Sequence, residues 1–95
     1  MNKEIYEKLL ELKKTYSKEG INIIGIFGSY KDNSFDDFSD IDISYKINYP
    51  LFFSKYKDGF SQILRIEEIK NEISKKLNKK IDLVPYKKEF EVENV

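Results

Sequence analysis

Gly28 and Ser29 stand ten residues ahead of Asp40-Ile41-Asp42, so a glycine and a hydroxyl precede two alternating carboxylates at a fixed distance. Glycine carries no Cβ, which lets a phosphate approach its backbone, and the Ser29 hydroxyl with the amides after it offers donors to phosphate oxygens. In an extended chain successive side chains point to opposite faces, so Asp40 and Asp42 share one face while Ile41 and Ile43 take the other. Two carboxylates a few ångströms apart repel unless a cation sits between them. Residues 32–42 contain five aspartates and no basic residue, which deepens the local demand for positive charge. Asp82, set between Ile81 and Leu83, repeats the device. If its strand pairs beside that of Asp40, it completes a cluster of three hard oxygen ligands suited to magnesium. This arrangement is what a magnesium-dependent nucleotidyl transfer site needs.

Each part alone has an ordinary structural reading. A bare Asp-x-Asp is usually the solvated face of an edge strand, and Gly-Ser is a common turn in which Ser29 would act as a helix N-cap. Asp82, close to Pro85, would be a surface residue. The joint order carries the weight: strand, Gly-Ser, a loop of set length, an alternating carboxylate pair, and a later strand with one carboxylate on its polar face.

Composition narrows the chemistry further. Lysine plus arginine equals aspartate plus glutamate, 17 against 17, so no global field draws the chain to nucleic acid or to an anionic membrane, and direct nucleic-acid binding is not expected. There is no cysteine and no histidine, which removes thiolate nucleophiles, thiolate zinc sites and imidazole acid–base chemistry. Catalysis must then use carboxylates, hydroxyls, lysines or a hard cation. The amino-terminal residues mix Lys3, Glu4, Glu7, Lys8 and Glu11 with apolar ones, unlike a signal peptide, and no apolar run reaches membrane-spanning length. A soluble, cytoplasmic chain of 95 residues, folded as a single domain over residues 1–95, is the expectation.

The elements that must position these groups follow from periodicity. Ile5, Leu9, Leu12 and Tyr16 form one stripe of an amphipathic helix over residues 3–17, ended by Gly20. Ile21 to Phe27 is β-branched and apolar almost throughout, as in a strand covered on nearly both faces. Residues 28–39 are polar and loop-like, with room for a helical turn at Ser29. A second strand spans Asp40 to Ile47. Leu51, Phe52, Phe53 and Tyr56 form an apolar patch after Pro50, read as core, with partner contact as the competing use. Beyond Gly59 a longer helix carries Ile66, Ile69, Ile73 and Leu77, supported by Phe60 and Ile63. Asn78 to Lys80 turn into a third strand, Ile81 to Pro85, and the tail from Tyr86 could be edge strand, helical turn or frayed end. The fold class is α+β: a two-layer α/β domain with a small mixed sheet and helices on one face.

The run GSYKDNSFDDFSDID, with IIGIF before it and KIDLVPY after it, resembles the DNA polymerase β-like nucleotidyltransferase superfamily. Within that superfamily it resembles the minimal nucleotidyltransferases known as MNT or MntA antitoxins, over Ile21 to Tyr86. The resemblance implies a nucleotidyltransferase-like fold, with ATP bound together with two Mg2+ ions and a nucleoside monophosphate passed to an acceptor hydroxyl. It implies Gly28 and Ser29 at the β- and γ-phosphates, Asp40 and Asp42 as metal ligands, and Asp82 ligating one metal and helping to activate the acceptor. It also implies a HEPN-domain toxin as protein partner, adenylylated on a tyrosine. The competing expectation is a non-catalytic antitoxin or binding module with a degenerate nucleotide site.

Overall fold

The computed structural model describes residues 2–28 and 40–95. Helix α1, Lys3–Ser17, starts where the Asn2 side chain accepts hydrogen bonds from the amides of Glu4 and Ile5 at 2.8 and 3.2 Å, satisfying donors that the first helical turn leaves unpaired. Its expected stripe is the buried one, with Leu9, Leu12 and Tyr16 inside and Ile5 half-buried against them. The chain then turns at Gly20, where φ is +91°. A Cβ there would lie 2.8 Å from the Phe52 nitrogen and 2.9 Å from the Asn48 oxygen, so both the backbone angle and the close approach of the next helix require glycine.

Strands β1 (Ile21–Phe27) and β2 (Ile41–Ile47) pair antiparallel, from Ile21 opposite Ile47 to Phe27 opposite Asp42. The register slips by one residue between Ile23 and Gly25. This bulge explains why the inward isoleucines of β1 are 21, 23 and 26 rather than a strict alternation, and it turns Gly25 and Phe27 onto the outer face. After β2 the chain forms two helices, α2 (Tyr49–Lys55) and α3 (Gly59–Leu77), before β3 (Ile81–Pro85) returns parallel to β2. A two-residue strand β4, Glu93–Asn94, pairs antiparallel with β1 at Gly25 and Ile26. The sheet order is β3-β2-β1-β4, a mixed sheet as expected.

One face of that sheet meets the helices. Ile21, Ile23, Ile26, Ile41, Ile43, Tyr45 and Ile81 are buried together with Leu9, Leu12, Tyr16, Phe52, Ile69, Ile73 and Leu77. The long-helix stripe thus holds at Ile69, Ile73 and Leu77, with Ile66 half-buried. Phe60 and Ile63 do not support it: they are 77% and 72% exposed. Position 60 falls opposite Ile69 on the helix, and position 63 lies on the flank of the inward stripe through 66, 69 and 73. The apolar patch 51–56 proves to be mostly helix, with Asn48 as N-cap and Pro50 in the first turn. Phe52 is fully buried and Tyr56 packs beside it, whereas Phe53 stays 43% exposed. No helix among the described residues is long and apolar enough to cross a membrane.

The opposite face carries Asp42, Ser44 and Lys46 and is crossed by the tail. The Tyr86 amide donates to the Tyr45 carbonyl at 2.9 Å, and the Lys46 ammonium sits 4.6 Å from the centre of the Tyr86 ring. Phe90 stacks on Phe27, with ring centres 4.5 Å apart and planes 15° off parallel. The Val95 amide donates to the Ile24 carbonyl at 3.0 Å. The tail is therefore a strap, not a frayed end.

The helices are tied by one arginine. Arg65 on α3 grips Glu19 through two nitrogens at 2.6 and 2.8 Å and reaches Glu72 at 2.9 Å. Tyr16 of α1 donates to the other Glu72 oxygen, and Tyr56, beyond α2, donates to Glu19. The Arg65 and Glu19 side chains are only 16% and 18% exposed, so truncation would leave a mostly desolvated carboxylate without its partner. Arg65→Ala is expected to cost about 2 kcal/mol, discounted from the fully buried case for residual solvent. The Arg65 hydrogen bond holds the Glu19 carboxyl below its ordinary 4.5, and hydrogen bonds from Tyr16 and then Arg65 do the same for Glu72. A lowered folded-state pKa gives stability that is present above 4.5 and lost as pH falls through the folded value. The urea midpoint of wild type should therefore fall as pH drops below 4.5, and Arg65→Ala should flatten that limb.

Candidate active site

Three chain segments bring the acidic groups to one edge of the sheet. β1 ends at Phe27, directly opposite Asp42, and Gly28 follows with φ at +80°. A Cβ on residue 28 would lie 2.7 Å from Asp42 Oδ2, so glycine both permits the turn and leaves that carboxylate uncovered. On the other side of β2, Asp42 is in register with Asp82 of β3. The Ile41 amide donates to the Lys80 carbonyl at 3.0 Å, carrying the β2–β3 ladder back to Asp40, which immediately precedes β2. The pairing on which the third carboxylate depended is present.

The electrostatics match that convergence. Burial pushes the Asp42 carboxyl above its ordinary range, and the negative charges of Asp82 and then Asp40 push it further the same way. Asp82 is 55% exposed on its side chain and has Lys70 of α3 at 3.7 Å. Lys70 has no sequence signal: nothing in a helix of alternating charge tells which lysine will face a distant strand. Among the described residues no three acidic side chains lie close enough together, as they stand, to hold one metal ion. The carboxylates are neighbours across the sheet edge rather than a closed cage. Ser29 and the helical turn expected there lie outside the described residues, as do Asp32, Asp36 and Asp37.

A sequence model of the family described as "Polymerase beta, Nucleotidyltransferase" matches residues 7–93, a span that runs from within α1, through Gly28, Asp40, Asp42 and Asp82, into the start of β4. The chain belongs to the polymerase β nucleotidyltransferase family. No curated protein and no solved structure gives a significant match. The mixed four-stranded sheet with its helices fits a nucleotidyltransferase domain, and membership supports a function of nucleotidyl-transfer type on a nucleotide substrate.

The outer sheet face of this domain holds two further features that sequence reasoning missed. The Ser44 hydroxyl, two residues along β2 from Asp42 on the same face, is fully buried and has no hydrogen-bond partner among the described residues. The Phe27–Phe90 stack adjoins both Gly28 and the strand partner of Phe27, Asp42. Phe27 was legible as the end of a strand. Its partner in the tail was not, because ring stacking across 63 residues leaves no local pattern.

Proposed function

We propose that this domain transfers AMP from ATP to a hydroxyl of a partner protein, with Mg2+, as the antitoxin of a HEPN/MNT toxin–antitoxin pair. The observation that carries the reading is the sequence of neighbours across the sheet edge: Gly28 against Asp42, and Asp42 in register with Asp82. The donor set fits a hard divalent cation. Asp42 is held toward its neutral form by burial and by two like charges, a penalty that a bound cation would reverse, and carboxylate oxygens are what magnesium prefers. Asp40, Asp42 and Asp82 are the residues that would hold it. When bound, such an ion neutralises phosphate charge and polarises the phosphorus–oxygen bonds.

The chain's own groups then divide the work. Gly28, without a side chain, and Ser29 receive the β- and γ-phosphates. The acceptor oxygen forms a bond to the α-phosphorus as the bond from that phosphorus to the β-bridging oxygen breaks, and pyrophosphate leaves. Asp82, whose side chain is 55% exposed, would help activate the acceptor by taking its proton. Positioning and charge stabilisation supply the rate, so no histidine is needed.

A second reading has its own support: Phe53, Phe60, Ile63 and Leu64 are exposed apolar side chains on α2 and α3, a surface that could neutralise a partner by binding alone. The two readings separate with ATP labelled in the α-phosphate or in the γ-phosphate, Mg2+ and the HEPN-domain partner. Transfer predicts α-label retained on the partner and γ-label released as pyrophosphate. Neutralisation without any α-label would leave the binding reading alone standing.

A further inference from the structure

The end of α3 and the start of β3 enclose a shallow, open cleft of about 370 Å³ lined by Ser74, Lys75, Asn78, Lys79 and Lys80. Four of the six residues 75–80 are lysines, in a chain whose charges balance overall at 17 against 17. Lys76 reaches Glu11 at 3.9 Å, but among the described residues Lys75, Lys79 and Lys80 form no ion pair. Complementing the helix dipole accounts for lysines in the last turn. It does not account for Lys79 and Lys80, which lie beyond the cap. The helix end there is already satisfied: Asn78, in the left-handed conformation, and Lys79 donate their amides to the Lys75 and Ser74 carbonyls, and Ser74 Oγ donates to the Lys79 carbonyl at 2.6 Å.

The position of the cleft gives these charges a use. The Lys80 carbonyl holds the Ile41 amide, so Lys80 stands beside Asp40 in the β2–β3 ladder. Gly28 lies on the other side of Asp42, at the end of β1. An in-line displacement places the leaving group and the acceptor on opposite sides of the reacting phosphorus. With pyrophosphate leaving toward Gly28, the acceptor enters over β3, past the lysines.

We propose that Lys75, Lys79 and Lys80 form an acceptor subsite for a short acidic segment, so that the domain selects protein hydroxyls flanked by aspartate or glutamate. This rests on the transfer reading above. Three lysines that line one small cleft match two or three carboxylates of a peptide. A nucleic-acid strand needs a longer basic track than this short cleft offers.

The test is a binding measurement that needs neither ATP nor transfer. Fluorescent peptides carrying a tyrosine flanked by glutamates, or by glutamines, are titrated with the full chain, and binding is followed by anisotropy. The glutamate peptide should bind roughly tenfold more tightly, and the preference should collapse between about 0.05 M and about 0.5 M salt. Lys75→Ser/Lys79→Ser/Lys80→Ser should erase the preference. Lys3→Ser/Lys14→Ser/Lys18→Ser, the same charge change on exposed positions in and just beyond α1, should keep it. Equal binding of the two wild-type peptides, equal loss in both triple variants, or tighter binding of a single-stranded RNA of the same charge would overturn the proposal. Wild-type discrimination is read without any variant, so a poorly folding variant leaves the test intact. A failed α-label transfer would sink the enzymatic reading without touching this result.

Discussion

Asp42→Asn is expected to lower nucleotidyl transfer by about a thousandfold or more, while leaving the metal-free fold at least as stable as wild type. The two effects have one origin. Asp42 is the central carboxylate, touched by Gly28 on one side and in register with Asp82 on the other, so no neighbour can replace its oxygens. Asparagine keeps the shape and one oxygen but loses the charge that a divalent ion requires. For stability the sign reverses. The folded-state pKa of Asp42 is raised, first by burial and then by Asp82 and Asp40. A raised carboxyl contributes fully below its ordinary value of 3.8 and loses that contribution as pH rises through the folded value. At neutral pH the ionised Asp42 therefore weakens the metal-free fold, and asparagine removes that penalty. Thermal unfolding at pH 7 in chelator should give a melting temperature for Asp42→Asn equal to or above wild type. Added Mg2+ or Mn2+ should raise the wild-type value and leave the variant where it is.

Gly25→Val is expected to destabilise the domain by about 3 kcal/mol, near the top of the range for inserting atoms into a packed site. A Cβ on residue 25 would lie 2.0 Å from the Glu93 carbonyl oxygen and 2.7 Å from the Glu93 carbonyl carbon. Both are backbone atoms, so no side-chain rotation relieves the overlap and β4 must leave β1. Losing β4 releases the strap, including the Phe27–Phe90 stack and the Val95 amide bond to Ile24. Urea denaturation should report the lower midpoint. Hydrogen exchange at Ile26 and Val95 should rise first, while Leu9 and Ile73 in the helical core stay protected.

Where the chain is long and periodic, its elements are readable from residue order. The stripe Ile5, Leu9, Leu12, Tyr16 gives α1, the alternation of Ile41, Ile43 and Tyr45 gives β2, and Ile66, Ile69, Ile73, Leu77 gives α3. Asp40 falls one residue before β2 rather than in it. Two elements were not legible. Helix α2 spans seven residues, too few for a helical period to show, although Asn48 and Pro50 are sound start signals in retrospect. Strand β4 spans two and is held by tertiary contact alone, because Gly25 leaves room for Glu93. Phe60 and Ile63 continue the apolar spacing of α3 toward its start, yet both are exposed while Ile69 and Ile73 are buried.

The candidate site was legible to the extent that it lies on strands. Alternation turns Asp42 away from Ile41 and Ile43, and the parallel return of β3 brings Asp82 into register with it; Asp40 lies just outside β2, so strand alternation does not position it. What arrives from helices and from the tail has no such signature. Lys70 meets Asp82 across the layers, Phe90 meets Phe27 through the strap, and Ser44 is buried by whatever crosses the outer face.

In the proposed reading, Asp40, Asp42 and Asp82 hold divalent metal for a nucleotide whose phosphates lie against Gly28. The most direct measurement is Mn2+ binding, counted by electron paramagnetic resonance with a non-hydrolysable ATP analogue present. Wild type is predicted to bind two ions per nucleotide-loaded chain, and Asp42→Asn to lose the protein-held ions and bind only what the free analogue binds. Wild type that binds no more Mn2+ than the analogue alone would contradict the claim.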